Sequence, residues 1–158
     1  MDVDDLRSLY LSELQEVCDC EAQMIEVMPA LAASAGSAEL RLVVGQHAKQ
    51  TVLHGQRVKA ILRRHSTSLT PGVDQVAVAL VKKAGQITGG MSDPDLRDAA
   101  LIAAVRHIAH HQIAAYSAAE SYAEALYLEI DRHSLLATLQ EKQFTDRRLA
   151  GLPACKTR

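Results

Sequence analysis

The side chains in this sequence that could carry chemistry lie within apolar helical stripes, at positions where leucine or valine would be cheaper to bury. Apolar residues recur at three- and four-residue steps in four long segments, which is the periodicity of amphipathic helices. Carboxylate and imidazole side chains can bind metal ions, and a four-helix bundle can hold a metal centre in its core. The polar members of the four stripes, in chain order, are Glu21, Gln50 with His54, Gln112, and Lys142 with Asp146.

These polar residues come to a common level when each pair of helices is folded about its turn, because an α-helix rises about 1.5 Å per residue. About the turn near residue 36, Glu21 comes level with Gln50. About the turn near residue 127, Gln112 comes level with Lys142. We therefore predict a polar cluster in the centre of the bundle.

The helices that must position this cluster are separated by glycine, proline and serine. We predict an all-α fold: a four-helix bundle with an extra short crossover helix between the second and third long helices. Residues 1–151 should form a single domain, followed by a C-terminal tail at 152–158. Pro29 predicts a kink or break in the first helix. The helices are expected at about 2–34, 38–64, 73–88, 94–126 and 129–149.

The composition excludes several classes of protein. The 158 residues include 3% aromatic side chains and no Trp, which disfavours a β-sheet architecture. The net charge is -2 and the pI about 6.4, so we expect no nucleic acid as partner. The N-terminus is acidic where a signal peptide would be basic, and no apolar run approaches the length of a membrane span. We expect a cytoplasmic protein without a membrane partner.

Two hypotheses describe the polar cluster. A dinuclear iron or manganese centre needs about four to six carboxylates, and Lys142 would place a positive charge where the cations should lie. The first hypothesis is therefore a single ion, such as zinc, on Glu21, His54 and Asp146. The second is a metal-free network in which Lys142 pairs with Glu21 and Asp146, and the two glutamines satisfy the remaining groups.

Three further histidines and two cysteines carry atoms that could bind a metal ion. His110 is a secondary metal candidate, whereas His107 and His111 should lie on a helix flank and contact a neighbouring helix or subunit. Cys18 and Cys20 cannot both face one way on a helix, so we expect buried small residues and no chelate.

A family resemblance enters with the third long helix. The segment Asp-Ala-Ala-Leu-Ile-Ala-Ala at 98–104, followed by His110 and by Ile-Ala-Ala-Tyr at 113–116, resembles the YciF/YciE-type ferritin-like proteins, which are small stress-associated bacterial proteins. Segments 20–23, 47–51 and 138–146 are similar to the other three helices. The resemblance covers about residues 11–149. It implies a ferritin-like bundle, usually dimeric, with a di-metal centre.

The departures from the family pattern bear on function. Only Glu21 and Asp146 keep the carboxylates that the resemblance implies as metal ligands; the positions that lose them are Gln50, Ala109, Gln112 and Lys142. We therefore expect a degenerate di-metal centre, no cofactor, and a non-enzymatic structural or interaction protein. The alternative is a metal-binding protein that holds iron, manganese or zinc and has an oxidoreductase or storage role.

The expected partner is a second copy of the chain, with an unknown protein partner as a further option. An alanine-rich flank bearing tyrosines could form the homodimer contact. Its residues are Tyr116, Ala119, Tyr122 and Ala123.

Overall fold

A computed structural model describes residues 5–69 and 72–154. The described residues form five helices and no strand, so the predicted all-α bundle with a crossover helix is confirmed. The predicted boundaries agree with the observed ones to within a few residues. The helices are α1 (Leu6–Ser34), α2 (Ala38–Arg64), α3 (Gln75–Gly90), α4 (Pro94–Ala125) and α5 (Glu129–Ala150).

The four long helices form a closed square. α1 packs against α2 and α4, and α5 packs against α2 and α4. The crossover helix α3 packs against α1 and α4, so it covers one side of the square. α1 is not interrupted by Pro29, contrary to the expected break, and runs as one helix to Ser34. None of the described helices has the length and hydrophobicity to cross a membrane.

Short polar side chains fix where four of the helices begin. Each accepts a hydrogen bond from a backbone N–H of the first turn, which would otherwise have no partner in the helix. The capping residues are Asp5, Ser37, Asp74 and Asp93. Asp98 of α4 adds a contact between elements, because its carboxylate accepts from the backbone N–H groups of Gly36 at 2.6 Å and Ser37 at 2.7 Å. The start of α4 is thereby fixed to the turn between α1 and α2.

The core consists of two apolar clusters with polar side chains between them. The cluster near the α1–α2 turn includes Met24, Leu31 and Val105, and the cluster at the opposite end includes Leu14, Val58 and Leu135. The burial of these side chains is the main favourable term of folding. The side chains between the clusters are the polar core, which consists of Glu21, His47, His54, Gln112, Tyr116 and Lys142.

The structure bears on two expectations, the flank for dimer contact and the C-terminal tail. The prediction of a flank for dimer contact is wrong. Tyr116, Ala119 and Ala123 are buried in their own bundle, and Tyr122 packs against the apolar cluster that contains them. The inward-facing stripe of α4 thus includes these residues. In the predicted tail, Leu152 packs against the other apolar cluster. Residues 155–158 lie outside the described part.

Candidate functional site

Glu21 is the centre of the polar core and is fully buried. Its Oε1 accepts a hydrogen bond from the Tyr116 hydroxyl at 2.7 Å and lies 2.8 Å from the ammonium nitrogen of Lys142. Its Oε2 accepts from the Gln112 amide at 3.3 Å. α1, α4 and α5 each contribute to this arrangement, so the carboxylate holds three helices together.

Lys142 is also fully buried, and its charge is balanced by Glu21. The angles at the 2.8 Å contact fall outside hydrogen-bond geometry, so the attraction is that of an ion pair. The ammonium also lies 5.3 Å from the centre of the Tyr116 ring, within the range of a cation–π interaction. Burial, and then the neighbouring Glu21 carboxylate, raise the pKa of Tyr116 well above its usual value. Tyr116 therefore acts as a neutral donor.

The two histidines of α2 contribute neutral imidazoles to the polar core. Burial, and then the Lys142 ammonium, lower the pKa of His54 to about 4, although Glu141 lies 2.8 Å from its Nε2. Glu141 is held in place by Arg57 at 2.7 and 3.2 Å. Burial, Lys142 and His54 lower the pKa of His47 to about 3. A further positive charge beside Lys142 is thus unfavourable.

Some atoms of the polar core have no hydrogen-bond partner among the described residues. They include both ring nitrogens of His47, Nδ1 of His54 and Oε1 of Gln112. A buried polar atom without a partner costs about 1–3 kcal/mol. Polar atoms on the side of the core that faces α2 therefore lack hydrogen-bond partners, whereas both oxygens of the Glu21 carboxylate accept hydrogen bonds.

Asp146 lies outside the polar core. Its carboxylate accepts from Arg106 at 2.9 Å and lies 3.0 Å from Nε2 of His110. Burial raises the pKa of Asp146, but the bonds from Arg106 and His110 outweigh it and hold this pKa below its usual value. The expected pairing of Lys142 with Asp146 is therefore not found, because Arg106 and His110 of α4 contact that carboxylate instead. Lys142 pairs with Glu21 alone.

The other predicted positions are divided between the core and its edge. Gln112 lies in the polar core as expected, and Ala109 is buried beside it without a polar group. Gln50 is half-buried and accepts from the Thr145 hydroxyl at 3.4 Å, so it does not reach Glu21.

The proposed ligands do not assemble into a metal site in the described part of the chain. Glu21, His54 and Asp146 are not brought within ligand distance of one another, since each has its own protein partners. A dinuclear centre does not fit either, because Glu21 is the one carboxylate in the polar core as defined above and the Lys142 ammonium lies against it. The residues present thus suit an ion pair and not a cluster of cations.

Several contacts of this region were not predicted. Glu141 and Arg57 have no place in the predicted cluster, although Glu141 precedes Lys142 and so lies about 100° around the same helix. The sequence also gave no prediction for Asp131, which accepts from Tyr10 at 3.0 Å and from Arg64 at 2.6 Å and lies 2.5 Å from Nε2 of His65. These bonds fix the start of α5 to α1 and α2.

The flank histidines have different environments. Nε2 of His111 lies 2.6 Å from the carboxylate of Asp74, the residue that caps α3. His107 is exposed. Cys18 and Cys20 are both buried free thiols, as expected of small core residues. Cys20, Asp74 and His111 nevertheless lie close together, which the sequence did not indicate.

Fold and site together define a class of protein: an all-α bundle of four long helices, with a crossover helix on one side and a buried polar layer. The chain belongs to the family described as Domain of unknown function (DUF892), which matches residues 5–157. It is 26% identical to Protein YciF of Escherichia coli (strain K12) over 155 residues, which cover 96% of this chain and 92% of that protein. The predicted YciF-type resemblance is confirmed.

Two solved structures are similar to this fold. The crystal structure of the E. coli stress protein YciF has a TM-score of 0.88 at 23% identity and covers 93% of each chain. YcfI from Rhodopseudomonas palustris has a TM-score of 0.92 at 21% identity, and the match covers 96% of this chain and 97% of that one. These likenesses concern the fold.

Proposed function

We propose that this chain is a cytoplasmic, stress-associated helical protein of the YciF type that works by association and not by catalysis. In this proposal a buried ion pair has replaced the ferritin-like di-metal centre. The observation that carries it is the 2.8 Å contact between Lys142 and Glu21, both fully buried at the level where the family resemblance places metal ligands. The relative YciF is described as a stress protein, which supports the physiological setting.

Charge balance supports the loss of the metal centre. A carboxylate in a low-dielectric core needs a neutralising charge, and either a metal ion or an ammonium group can supply it. Lys142 supplies it here, and Tyr116 and Gln112 use two of the remaining acceptor sites of Glu21. A divalent ion at Glu21 would have to displace the ammonium and leave it buried without a counter-charge.

Association with a second copy is supported by the side of the bundle that α3 does not cover. On α2, Leu42 and Leu53 are 55% and 43% exposed, and a spacing of eleven residues places them three turns apart on one face. Phe144 of α5 is 54% exposed and lines the groove between α2 and α5. A twofold axis through this face would bury the same apolar residues of both copies, as an isologous dimer requires.

The metal content of the protein tests the first part of this proposal. Untagged protein from cells grown with added iron and manganese, purified without chelators, should contain neither metal in stoichiometric amount by mass spectrometry. The triple variant Gln50→Glu, Gln112→Glu, Lys142→Glu restores carboxylates and should gain metal-dependent thermal stability. Two iron or manganese ions in each wild-type chain would overturn the proposal.

The oligomeric state tests the second part. Sedimentation equilibrium should give a dimer for the wild type and a monomer for Leu53→Glu. The control Val76→Glu changes an exposed residue of α3, the helix that packs on α1 and α4, and should leave the dimer intact. A monomeric wild type at every concentration would contradict association with a second copy.

The alternative function, a protein that binds iron, manganese or zinc with an oxidoreductase or storage role, depends on Glu21 and His54. They belong to the same buried layer, and the Glu21 carboxylate opposes the lowering of the His54 pKa. This alternative requires bound metal that is lost in the double variant Glu21→Ala, His54→Ala. Metal content unchanged in that variant would remove the alternative.

A further inference from the structure

Three side chains with different metal-binding atoms converge outside the polar core. Cys20 comes from α1, Asp74 from the segment that caps α3, and His111 from α4. One ligand atom from each residue lies within 4.8 Å of the other two. Among the described residues, no other histidine, cysteine or carboxylate group of three or more meets this criterion. Residues distant in sequence have thus been brought together by the packing of three elements.

We propose that Cys20, Asp74 and His111 bind one zinc ion. Thiolate, imidazole and carboxylate are the three ligand types that zinc takes in proteins, at about 2.0–2.3 Å, so neighbouring ligand atoms of a tetrahedral site are roughly 3.3–3.7 Å apart. In the metal-free protein the three ligand atoms all lie within 4.8 Å of one another, so short side-chain movements would bring them to these distances. The 2.6 Å separation between His111 Nε2 and Asp74 Oδ2 has to lengthen as the ion replaces the proton between them.

The existing hydrogen bonds hold Asp74 in a suitable position. Its Oδ1 accepts from the backbone N–H of Ala77 at 2.9 Å, which leaves Oδ2 for the ion. The backbone N–H of Asp74 donates to the Asp19 carboxylate at 2.8 Å, and Asp19 also accepts from Gln23 at 2.6 Å. Such contacts behind the ligands orient them and are a regular part of metal sites.

The charge around the three ligands favours a cation. Asp74 and Asp19 are carboxylates, and Glu13 of α1 interacts electrostatically with both Asp74 and His111. The buried Lys142 ammonium is paired with Glu21. Cys20 is almost fully buried, whereas the His111 side chain is 23% exposed and opens the site to solvent. Water can therefore occupy the fourth position of the ion.

Binding releases a proton. Burial, and then the Glu21 and Asp74 carboxylates, raise the pKa of Cys20, so the metal-free residue is a thiol at neutral pH. Zinc binds the thiolate, so the thiol proton leaves to solvent, and His111 must present Nε2 as a lone pair. Affinity should consequently fall as the pH is lowered. The bound ion would connect α1, α4 and the start of α3, which adds a structural role to the proposed association without depending on it.

Cobalt substitution tests this site directly. The metal-free full-length protein is titrated with Co²⁺, and the absorption spectrum should show a thiolate-to-cobalt charge-transfer band together with the visible bands of tetrahedral cobalt. Zinc should abolish these bands at one equivalent per chain. Cobalt binding without a thiolate band in the wild type would overturn the proposal, and this outcome requires no variant to fold.

Variants then identify the ligands. Cys20→Ser and His111→Ala should each lose the thiolate band or reduce zinc affinity at least tenfold, and Asp74→Asn should weaken binding while it keeps an oxygen for the cap. The matched controls are Cys18→Ser and His110→Ala, neighbours of the same residue types outside the site. Circular dichroism in EDTA establishes that each variant is folded. Equal zinc binding in Cys20→Ser and Cys18→Ser would refute the site, whereas the iron and manganese content of the polar core bears on the proposed function alone.

Discussion

Replacing Lys142 with methionine tests whether the ion pair has the structural importance that its burial implies. Methionine is apolar and similar in length, so it can fill the same space, but it leaves the Glu21 carboxylate in the core without a counter-charge. Tyr116 and Gln112 still donate to that carboxylate. The variant therefore separates the contribution of charge from that of packing.

The expected cost follows from burial. Removing one partner of a buried ion pair destabilises a protein by about 3–5 kcal/mol, and for a chain of this size that lowers the melting temperature by roughly 6–20 °C. A proton taken up by Glu21 removes the unpaired charge of the folded variant. The folded variant then binds more protons than the unfolded chain, so the deficit relative to wild type should shrink as the pH falls from about 7 to about 5.

Urea and thermal unfolding, followed by circular dichroism at both pH values, measure this cost. The double variant Glu21→Gln, Lys142→Met removes both charges and should recover most of the lost stability, because apolar and neutral replacements of a buried pair are often tolerated. Lys83→Met changes an exposed lysine on α3 and should alter stability by about 0.5 kcal/mol or less. A Lys142→Met cost below about 1 kcal/mol, or a double variant no more stable than the single one, would refute this account.

Three further predictions concern groups with defined partners. The ring signals of His47 and His54 in NMR spectra should not titrate between about pH 8 and 6, since their pKa values are about 3 and about 4. Both histidines are neutral in the folded state, so each should lower the free energy of unfolding by about 1.4 kcal/mol for every pH unit below about 6.5, until its folded pKa is reached. A free energy of unfolding in urea that does not change with pH below about 6.5 would contradict this. Asp131→Asn should cost about 1.5–3 kcal/mol of unfolding free energy at pH 7. The cost should be smaller at about pH 3, because, against the opposing effect of burial, hydrogen bonds hold the pKa of the native Asp131 carboxyl below its usual value. Equal costs at both pH values would show the charge to be unimportant. Asp98→Ala removes two short hydrogen bonds from backbone N–H groups and should lower the free energy of unfolding in urea by about 1–3 kcal/mol. No loss of stability would show that packing alone holds the turn.

The fold was predictable because local signals agree with one another. Ser37, Asp93 and Pro94 are favourable helix-start residues, and the apolar periodicity of each long segment fixes its buried face. Pro29 limits such signals, because the predicted break does not occur and α1 continues as one helix through that residue. The error at Tyr116 has a different origin: this residue was expected on a flank for dimer contact, whereas it is buried and its hydroxyl donates to the Glu21 carboxylate.

The polar core was predictable in its level and only partly in its pairs. Counting residues from each turn placed Gln112 beside Lys142, and both lie against Glu21. The same counting cannot say toward which side of a helix a polar group turns. Asp146, one turn after Lys142, pairs with Arg106 instead of Lys142, because that choice depends on the side chains of the neighbouring helix.

The polar core and the proposed zinc ligands lie back to back, since Cys20 precedes Glu21 in α1 and His111 precedes Gln112 in α4. At Glu21, a hydroxyl and an amide N–H donate to one carboxylate and an ammonium balances its charge, so neither free charge nor many lone pairs are left for a metal ion. At Cys20, Asp74 and His111 the lone pairs outnumber the protons, and the surrounding charge is negative. Protein donors thus satisfy the carboxylate of the polar core, whereas at the neighbouring site a cation can replace the protons of the Cys20 thiol and of the contact between His111 and Asp74. Cobalt spectra of Cys20→Ser and Lys142→Met separate the two: the first variant should lose the thiolate band, and the second should retain it.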